Sequence, residues 1–256
     1  MMRKFILTAA AALGLSLVAT SAQAAGGVKV PDESWTWEGL FGYYDKAQLQ
    51  RGFQVYHDVC ANCHGLKLVA YRNLTDIGLG EDQVKAIAAE KEVEDGPDDA
   101  GDMFMRPAMP SDRFVSPFPN DNAARFANGG ALPPDLSLIN KARMGGPDYV
   151  YHLMLGFKDE APEGFELPDG KYYNEYFPGH AISMPPQLME GLVEYADGTE
   201  ASEEQLARDI TAFLNWAAEP ELEARKSLGI KVMLFLLVLT AMLYALKRKI
   251  WADVEH

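Results

Sequence analysis

Cys60-Ala61-Asn62-Cys63-His64 is the stretch with the most chemistry in the chain. Two thiols three apart lie on one side of a helical turn, and an imidazole follows at once. The thiols can form thioethers with the two vinyl groups of one haem, and the His64 imidazole is then offered to its iron. Three other uses of such a pair fit less well. A thioredoxin-type pair expects a βαβ context, and no strand pattern of any length is present. Half a zinc site needs two further ligands, and the chain has only 2 cysteines. A plain disulfide leaves His64 unexplained. Covalent haem is the reading the motif supports.

An iron held by His64 needs a second axial ligand if it is to be closed. Methionines after the motif are Met103, Met105, Met109, Met144, Met154, Met184 and Met189, with His57, His152 and His180 beside them. Methionine fills cores more often than it binds metal, and Met154 falls on a helical apolar stripe. Met184 differs, because it sits in Ala181-Ile182-Ser183-Met184-Pro185-Pro186, a loop stiffened by two prolines. Met184 is therefore the favoured ligand and His180 its main rival. Histidine/methionine ligation raises the potential and leaves no room for oxygen or peroxide, so electron transfer is the natural activity.

The elements that position these residues read as a few helices joined by long loops. Asp45 caps a first helix on which Leu49, Gly52, Phe53, Tyr56 and Cys60 recur. Further helices are expected over Glu81–Glu90, over Leu136–Arg143, and from Gly145-Gly146-Pro147 onward. Ser202 opens a last soluble helix, with Gln205 completing a capping box, and Pro220 ends it. Glu90 to Asn120 reads as a long irregular acidic loop. Such a domain needs another source of core, which a buried haem supplies.

Both ends of the chain carry membrane signals. Arg3 and Lys4, the apolar run Phe5–Val18 and Ala22-Gln23-Ala24 form an export signal, expected to be removed as residues 1–24. Residues 25–227 then form the exported haem domain. Leu228–Leu246 is apolar apart from Lys231 and long enough, at about 28 Å, to span a bilayer. Lys247-Arg248-Lys249 opens a tail, 247–256, held inside by its positive charge. The chain carries a net charge of -14; the leader's two bases, Lys231 and a net single positive charge in the tail leave -18 on the haem domain. That field excludes nucleic acid and favours a basic protein partner.

Several stretches together resemble the cytochrome c1 family. They are Arg51-Gly52-Phe53-Gln54-Val55-Tyr56 before the haem motif, Asn128-Gly129-Gly130-Ala131-Leu132-Pro133-Pro134-Asp135-Leu136-Ser137, and Ala142-Arg143 with Gly145-Gly146-Pro147-Asp148-Tyr149-Val150. Tyr172-Tyr173-Asn174, Tyr176-Phe177-Pro178-Gly179 and Trp216-Ala217-Ala218-Glu219-Pro220 follow. The resemblance implies a mainly α fold, a class I cytochrome c-like domain around one haem c, plus the C-terminal anchor. It implies Met184 as sixth ligand, Arg143 at a haem propionate, and Asn128, Pro134 and Tyr149 in the pocket wall. It also implies that the last soluble helix packs on the first, with Gly52 permitting close approach.

As expectations of function, the resemblance gives a relay subunit of quinol–cytochrome c reductase in a respiratory chain. Its partners would be cytochrome b, a Rieske iron–sulfur protein as donor and a soluble basic cytochrome c as acceptor, in a dimeric complex. The haem domain would stand on the periplasmic side of the cell inner membrane. A membrane-anchored cytochrome c feeding a terminal oxidase is the alternative, and it would lack the 128–150 and 172–186 stretches.

Overall fold

The computed structural model describes residues 28–253, so the expected export signal lies outside the described residues. Seven α-helices are present among them: α1 Lys46–Asp58, α2 Glu81–Ala89, α3 Asp121–Ala127, α4 Ile139–Ala142, α5 Gly146–Leu155, α6 Glu203–Ala218 and α7 Leu222–Ile250. Asp45 caps α1 as its type predicts, its side chain accepting from the Ala47 and Gln48 N–H groups. The Ser202 hydroxyl caps α6 by accepting from Gln205 N–H at 3.2 Å. Gln205 does not return the bond as a capping box would. Its amide donates instead to Asp209 Oδ1 at 2.8 Å. That carboxylate is buried and needs donors.

The core centres on the crossing of α1 and α6. Leu49, Phe53, Val55 and Tyr56 of α1 are buried, as are Leu206, Ile210, Phe213 and Leu214 of α6. Phe53 and Tyr56 each place their ring 5.7 Å from that of Phe213. Tyr71 stacks on Phe114 beside them, so the crossing is lined by aromatic pairs. Gly52 is what lets the backbones meet. A Cβ there would lie 2.0 Å from Asp209 O and 2.7 Å from Phe213 Cβ. Below the crossing, Arg51 joins the same two helices: its Nε donates to Asp209 Oδ2 at 2.9 Å and its other arm to Asp197 at 2.8 Å. Asp197 is held down to about 2, first by Thr199 N–H and then by Arg51. Its preference for charge adds stability above the ordinary carboxylate range near ~4. That contribution is lost as the pH falls through about 2.

The aromatic N-terminal stretch straps the far side. Trp35 and Trp37 stack at 4.7 Å, Trp35 Nε1 donates to Asp148 of α5 at 2.6 Å, and Asn215 of α6 donates to Tyr44 Oη at 3.0 Å. Arg208 packs over both the Trp35 and Tyr151 rings, at 5.1 and 4.9 Å from their centroids. Asn140 of α4 reaches Thr211 O on α6 at 3.0 Å.

Four differences from the sequence reading have plain causes. Strands do occur: β1 Glu92–Asp95 pairs antiparallel with β2 Phe104–Pro107, and β3 Tyr172–Tyr173 with β4 Ala181–Ile182. They are two to four residues long, too short for an alternating pattern to register. The first hairpin gives order to an acidic region whose sequence reads as irregular, with Arg106 tied to Asp95 and Asp112. Helix α3 is an addition, since its seven residues carry too little apolar periodicity to declare it. Finally, α4 is shorter than Leu136–Arg143, because Leu136 and Ser137 are committed to pairing elsewhere.

α7 has no buried residue past Leu222 and is long and apolar enough to cross a membrane, which is consistent with the expected C-terminal anchor. It begins six residues before Leu228. Pro220 separates it from α6. Across that break Glu219 accepts from Lys141 at 2.6 Å and also pairs with Arg225. Burial works to raise the Glu219 carboxyl, but the two cations outweigh it and hold it below the usual range.

Gly52→Ala is expected to cost about 1–3 kcal/mol by forcing α1 from α6. A fall in Tm of the full chain in detergent would show it. Gly229→Ala, with nothing within 4 Å of its Cβ, should leave Tm unchanged.

Candidate haem site

The motif does not lie on α1 itself. That helix ends at Asp58, and Cys60–Asn62 form a 3-10 turn. Residues i and i+3 eclipse in such a turn, so Cys60 and Cys63 still share one side. The turn is closed by Cys63 N–H and His64 N–H, both donating to Cys60 O at 3.1 and 2.9 Å. Asn62 has a local task that its position inside the motif does not advertise. Its amide donates to Asp58 O and Val59 O, both at 3.1 Å. It thereby finishes the C-terminus of α1. No disulfide joins the two cysteines, and burial pushes the Cys60 thiol up to about 12.

His64 is fixed by the segment that follows α3. Its Nδ1–H donates to Pro134 O at 2.7 Å. This bond selects the tautomer whose Nε2 lone pair is free for a metal. Burial lowers the His64 pKa, outweighing Pro134 and Asp135, and so favours the neutral ring that a metal requires. Beyond this bond the two segments are laced together. Leu136 N–H donates to Gly65 O at 2.9 Å, Lys67 N–H to Asp135 Oδ2 at 2.9 Å, and Leu68 N–H to Ser137 Oγ at 3.0 Å. A Cβ on Gly65 would meet Asp135 Oδ2 at 2.9 Å. Tyr56 ties the site back to α1 by donating to His64 O at 3.2 Å.

Other candidates sit on three further elements. Asn128 ends α3, its amide donating to Ala124 O at 2.7 Å. Arg143 follows α4 and is exposed, with no hydrogen bond or ion pair to its guanidinium among the described residues. Tyr149 is buried on α5, with its hydroxyl raised by burial and lowered by the nearby Arg143 charge. Leu132, Leu138 and Met144, close in sequence to Pro134 and Arg143, are exposed apolar side chains of the kind a large flat ring would cover.

Met184 is half-buried and lies just after β4. Its loop is bolted to α5 by a residue that chemical reasoning on the sequence passes over. Asn174 is fully buried; its amide donates to Leu153 O at 2.8 Å and its oxygen accepts from Tyr176 and Phe177 N–H at 3.0 and 3.1 Å. A Cβ on Gly156 would meet that oxygen at 2.9 Å, so the glycine is part of the same fit. An asparagine between tyrosines in a turn-rich stretch gives little signal alone.

The histidine rivals are engaged locally. His57 lies between Asp58 and Glu90, and His152 packs between the Tyr151 and Tyr176 rings. His180 stacks on Tyr173, with its Nδ1 3.2 Å from Asn174 O. Met154 packs against the core as its stripe implies, whereas Met103, Met105, Met109, Met144 and Met189 are exposed.

Two thiols on one side of a turn with no disulfide between them, a histidine whose Nε2 is left for a metal, and an arginine without a partner among the described residues fit a covalent haem. Mainly helical segments with long loops around such a motif define a class I c-type cytochrome. The Cytochrome C1 family profile matches residues 35–254. Over 90% of both chains the protein is 58% identical to cytochrome c1 of Rhodospirillum rubrum. It is 48% identical to the cytochrome b/c1 protein of Bradyrhizobium diazoefficiens, over 96% of this chain and 39% of that one. A "Cytochrome b-c1 complex catalytic subunit, mitochondrial" of Candida albicans is 46% identical over 90% of this chain and 80% of its own. The chain belongs to the cytochrome c1 family, whose members carry haem c, and the relatives place it with the alphaproteobacterial type.

Cys60→Ala should weaken or abolish covalent attachment, read as loss of haem stain on a denaturing gel. An unchanged stain would remove Cys60 from the site.

Proposed function

We propose that this chain is the electron-relay subunit of a quinol–cytochrome c reductase, receiving electrons from a Rieske iron–sulfur protein and delivering them to a soluble basic cytochrome c. The observation that carries the reading is the His64 Nδ1–H bond to Pro134 O, which leaves one imidazole nitrogen for iron in a family of haem c proteins. A haem c, when bound, supplies a one-electron couple. Cys60 and Cys63 would hold it covalently, and His64 and Met184 would hold its iron. Arg143 would meet a propionate, which suits an exposed guanidinium without another partner. Asn128, Pro134 and Tyr149 would wall the pocket. With both His64 and Met184 holding the iron, the subunit would carry electrons and do no bond chemistry.

The fused cytochrome b/c1 relative supports cytochrome b as a neighbour in the assembly. The acidic haem domain supports a basic acceptor, drawn in by charge. We place the haem domain, residues 25–227, on the periplasmic side of the inner membrane after loss of residues 1–24. Leu228–Leu246 would span the bilayer, and residues 247–256, led by Lys247-Arg248-Lys249, would stay inside by the positive-inside rule. A dimeric complex completes the proposal. Co-purification of a b-type cytochrome and a Rieske protein in one detergent fraction tests the assembly.

Met184→Leu should keep the haem attached and lower its potential in a redox titration, and should allow carbon monoxide to bind the reduced protein. An unchanged potential would shift the ligand assignment, to His180 first. Reduction of a basic cytochrome c by the subunit should slow steeply as ionic strength rises. A flat salt profile in stopped flow would sink the steering role of the domain's charge.

A further inference from the structure

The loop between Trp37 and Tyr44 has no task in the haem site, yet it is closely built. Tyr43 N–H donates to Thr36 O at 3.0 Å, closing the loop at its base, and Glu38 N–H donates to Trp35 O at 3.1 Å. Gly39 has φ +67, and a Cβ on Gly42 would lie 2.0 Å from Glu38 O. The turn is therefore too tight for other residues at that point. Glu38 is exposed, and its carboxylate accepts from Trp35 N–H at 3.4 Å at the base of the loop. The tip beyond it displays large apolar side chains: Leu40 is 60% exposed, Phe41 81% and Tyr43 62%. A rigid, stapled turn that presents three large apolar side chains to solvent is costly unless something covers them.

The same loop is fastened to the first turns of α7. Lys226 Nζ donates to Trp37 O and Gly42 O, and Tyr44 N–H donates to Glu223 Oε1 at 2.8 Å. Lys226 precedes Leu228, the first residue of the apolar run, by two positions. That is about 3 Å along a helix. The loop is therefore held beside the point where the anchor meets the bilayer. Leu, Phe and Tyr are residues that seat well at that depth, with rings among the headgroups and aliphatic tips below them.

We propose that Leu40, Phe41 and Tyr43 form a wedge that enters the outer headgroup layer of the membrane beside α7. The haem domain is then held to the bilayer at two adjoining places, the helix and the wedge. Lys226 and Glu223 lock the two together, which fixes the height and tilt of the domain over the surface. The wedge rests on the reading of α7 as a membrane span. The covering partner is lipid because Lys226 and Glu223 hold the loop beside the start of the apolar run of α7.

The test uses the full haem-loaded chain in vesicles of phosphatidylcholine and phosphatidylglycerol. Its native cysteines are spent on the haem, so Phe41→Cys takes a single nitroxide label. Collision with oxygen, which concentrates in lipid, is compared with collision with a water-soluble nickel chelate. The oxygen-to-nickel ratio at position 41 should exceed severalfold that of a label at Phe126→Cys, on α3 and 94% exposed. Tyr43→Cys serves as a second reporter if the first variant loses its native haem spectrum. Equal ratios at 41 and 126 would overturn the wedge. Loss of access to both reagents at 41 in the assembled complex would also overturn it, by showing that a neighbouring subunit covers the loop. A label at Leu237→Cys, in the middle of the span, separates the two readings: water-like access there rejects the anchor itself, and lipid-like access there with water-like access at 41 rejects only the wedge.

Discussion

The hydrogen bond from His64 Nδ1 to the carbonyl of Pro134 is the contact on which the rest of the site depends. It joins the motif to a segment far along the chain, and it sets which imidazole nitrogen can meet a metal. A lone bond of this kind would be worth about 1 kcal/mol. It is held in place by the pairing of Gly65, Lys67 and Leu68 with Asp135, Leu136 and Ser137, which makes the two segments one frame. Pro134 contributes through its rigidity as much as its oxygen, since a fixed φ limits how that carbonyl can move.

The frame needs a fixed reference, and α1 and α6 provide it. Tyr56 reaches forward from α1 to His64 O while its ring packs on Phe213 of α6. The close crossing at Gly52 is therefore more than packing, because a shift of α1 along α6 would carry the Cys60–His64 turn with it. On the opposite side, Asn174 ties the loop before Met184 to the end of α5, the helix that carries Tyr149. The two halves of the candidate site are thus held by separate anchors, one on α1/α6 and one on α5. Helix α6 touches both, which suits a site whose ligands come from distant parts of the chain.

What is legible in the sequence follows from how local each signal is. The thiols and imidazole of Cys60–His64 declare themselves by spacing alone. Asp45, Ser202 and Pro220 mark helix ends by well-defined local chemistry. The apolar run of α7 is as plain. The hairpin of β1 and β2 is not legible, because its order comes from Arg106 bridging Asp95 and Asp112, charges that read separately as a solvated acidic loop. Asn62, Asp135 and Asn174 are silent for a related reason. Each acts by satisfying backbone groups, some of them distant in sequence, and nothing in residue type reveals which carbonyl or N–H will need it. Met184 stands out only through its prolines and the family resemblance.

An electron carrier must hold its redox centre at a defined place while partners come and go, and the junction at Pro220 is where the domain would otherwise hinge on its long apolar helix. The proline ends α6, and α7 starts afresh at Leu222. Several contacts cross the break. Glu219 binds Lys141 of α4 and Arg225 of α7, Glu223 takes Tyr44 N–H, and Lys226 takes two carbonyls of the N-terminal loop. One exposed ion pair would contribute little. Here charges from α4, α7 and the α6–α7 link converge on Glu219, beside hydrogen bonds to a loop that is itself stapled shut. Rotation about Pro220 would have to break them together, so these contacts resist a hinge between α7 and the frame that carries the haem motif. The N-terminal strap thus serves the distant Cys60–His64 turn by fixing the orientation of the helices that carry it.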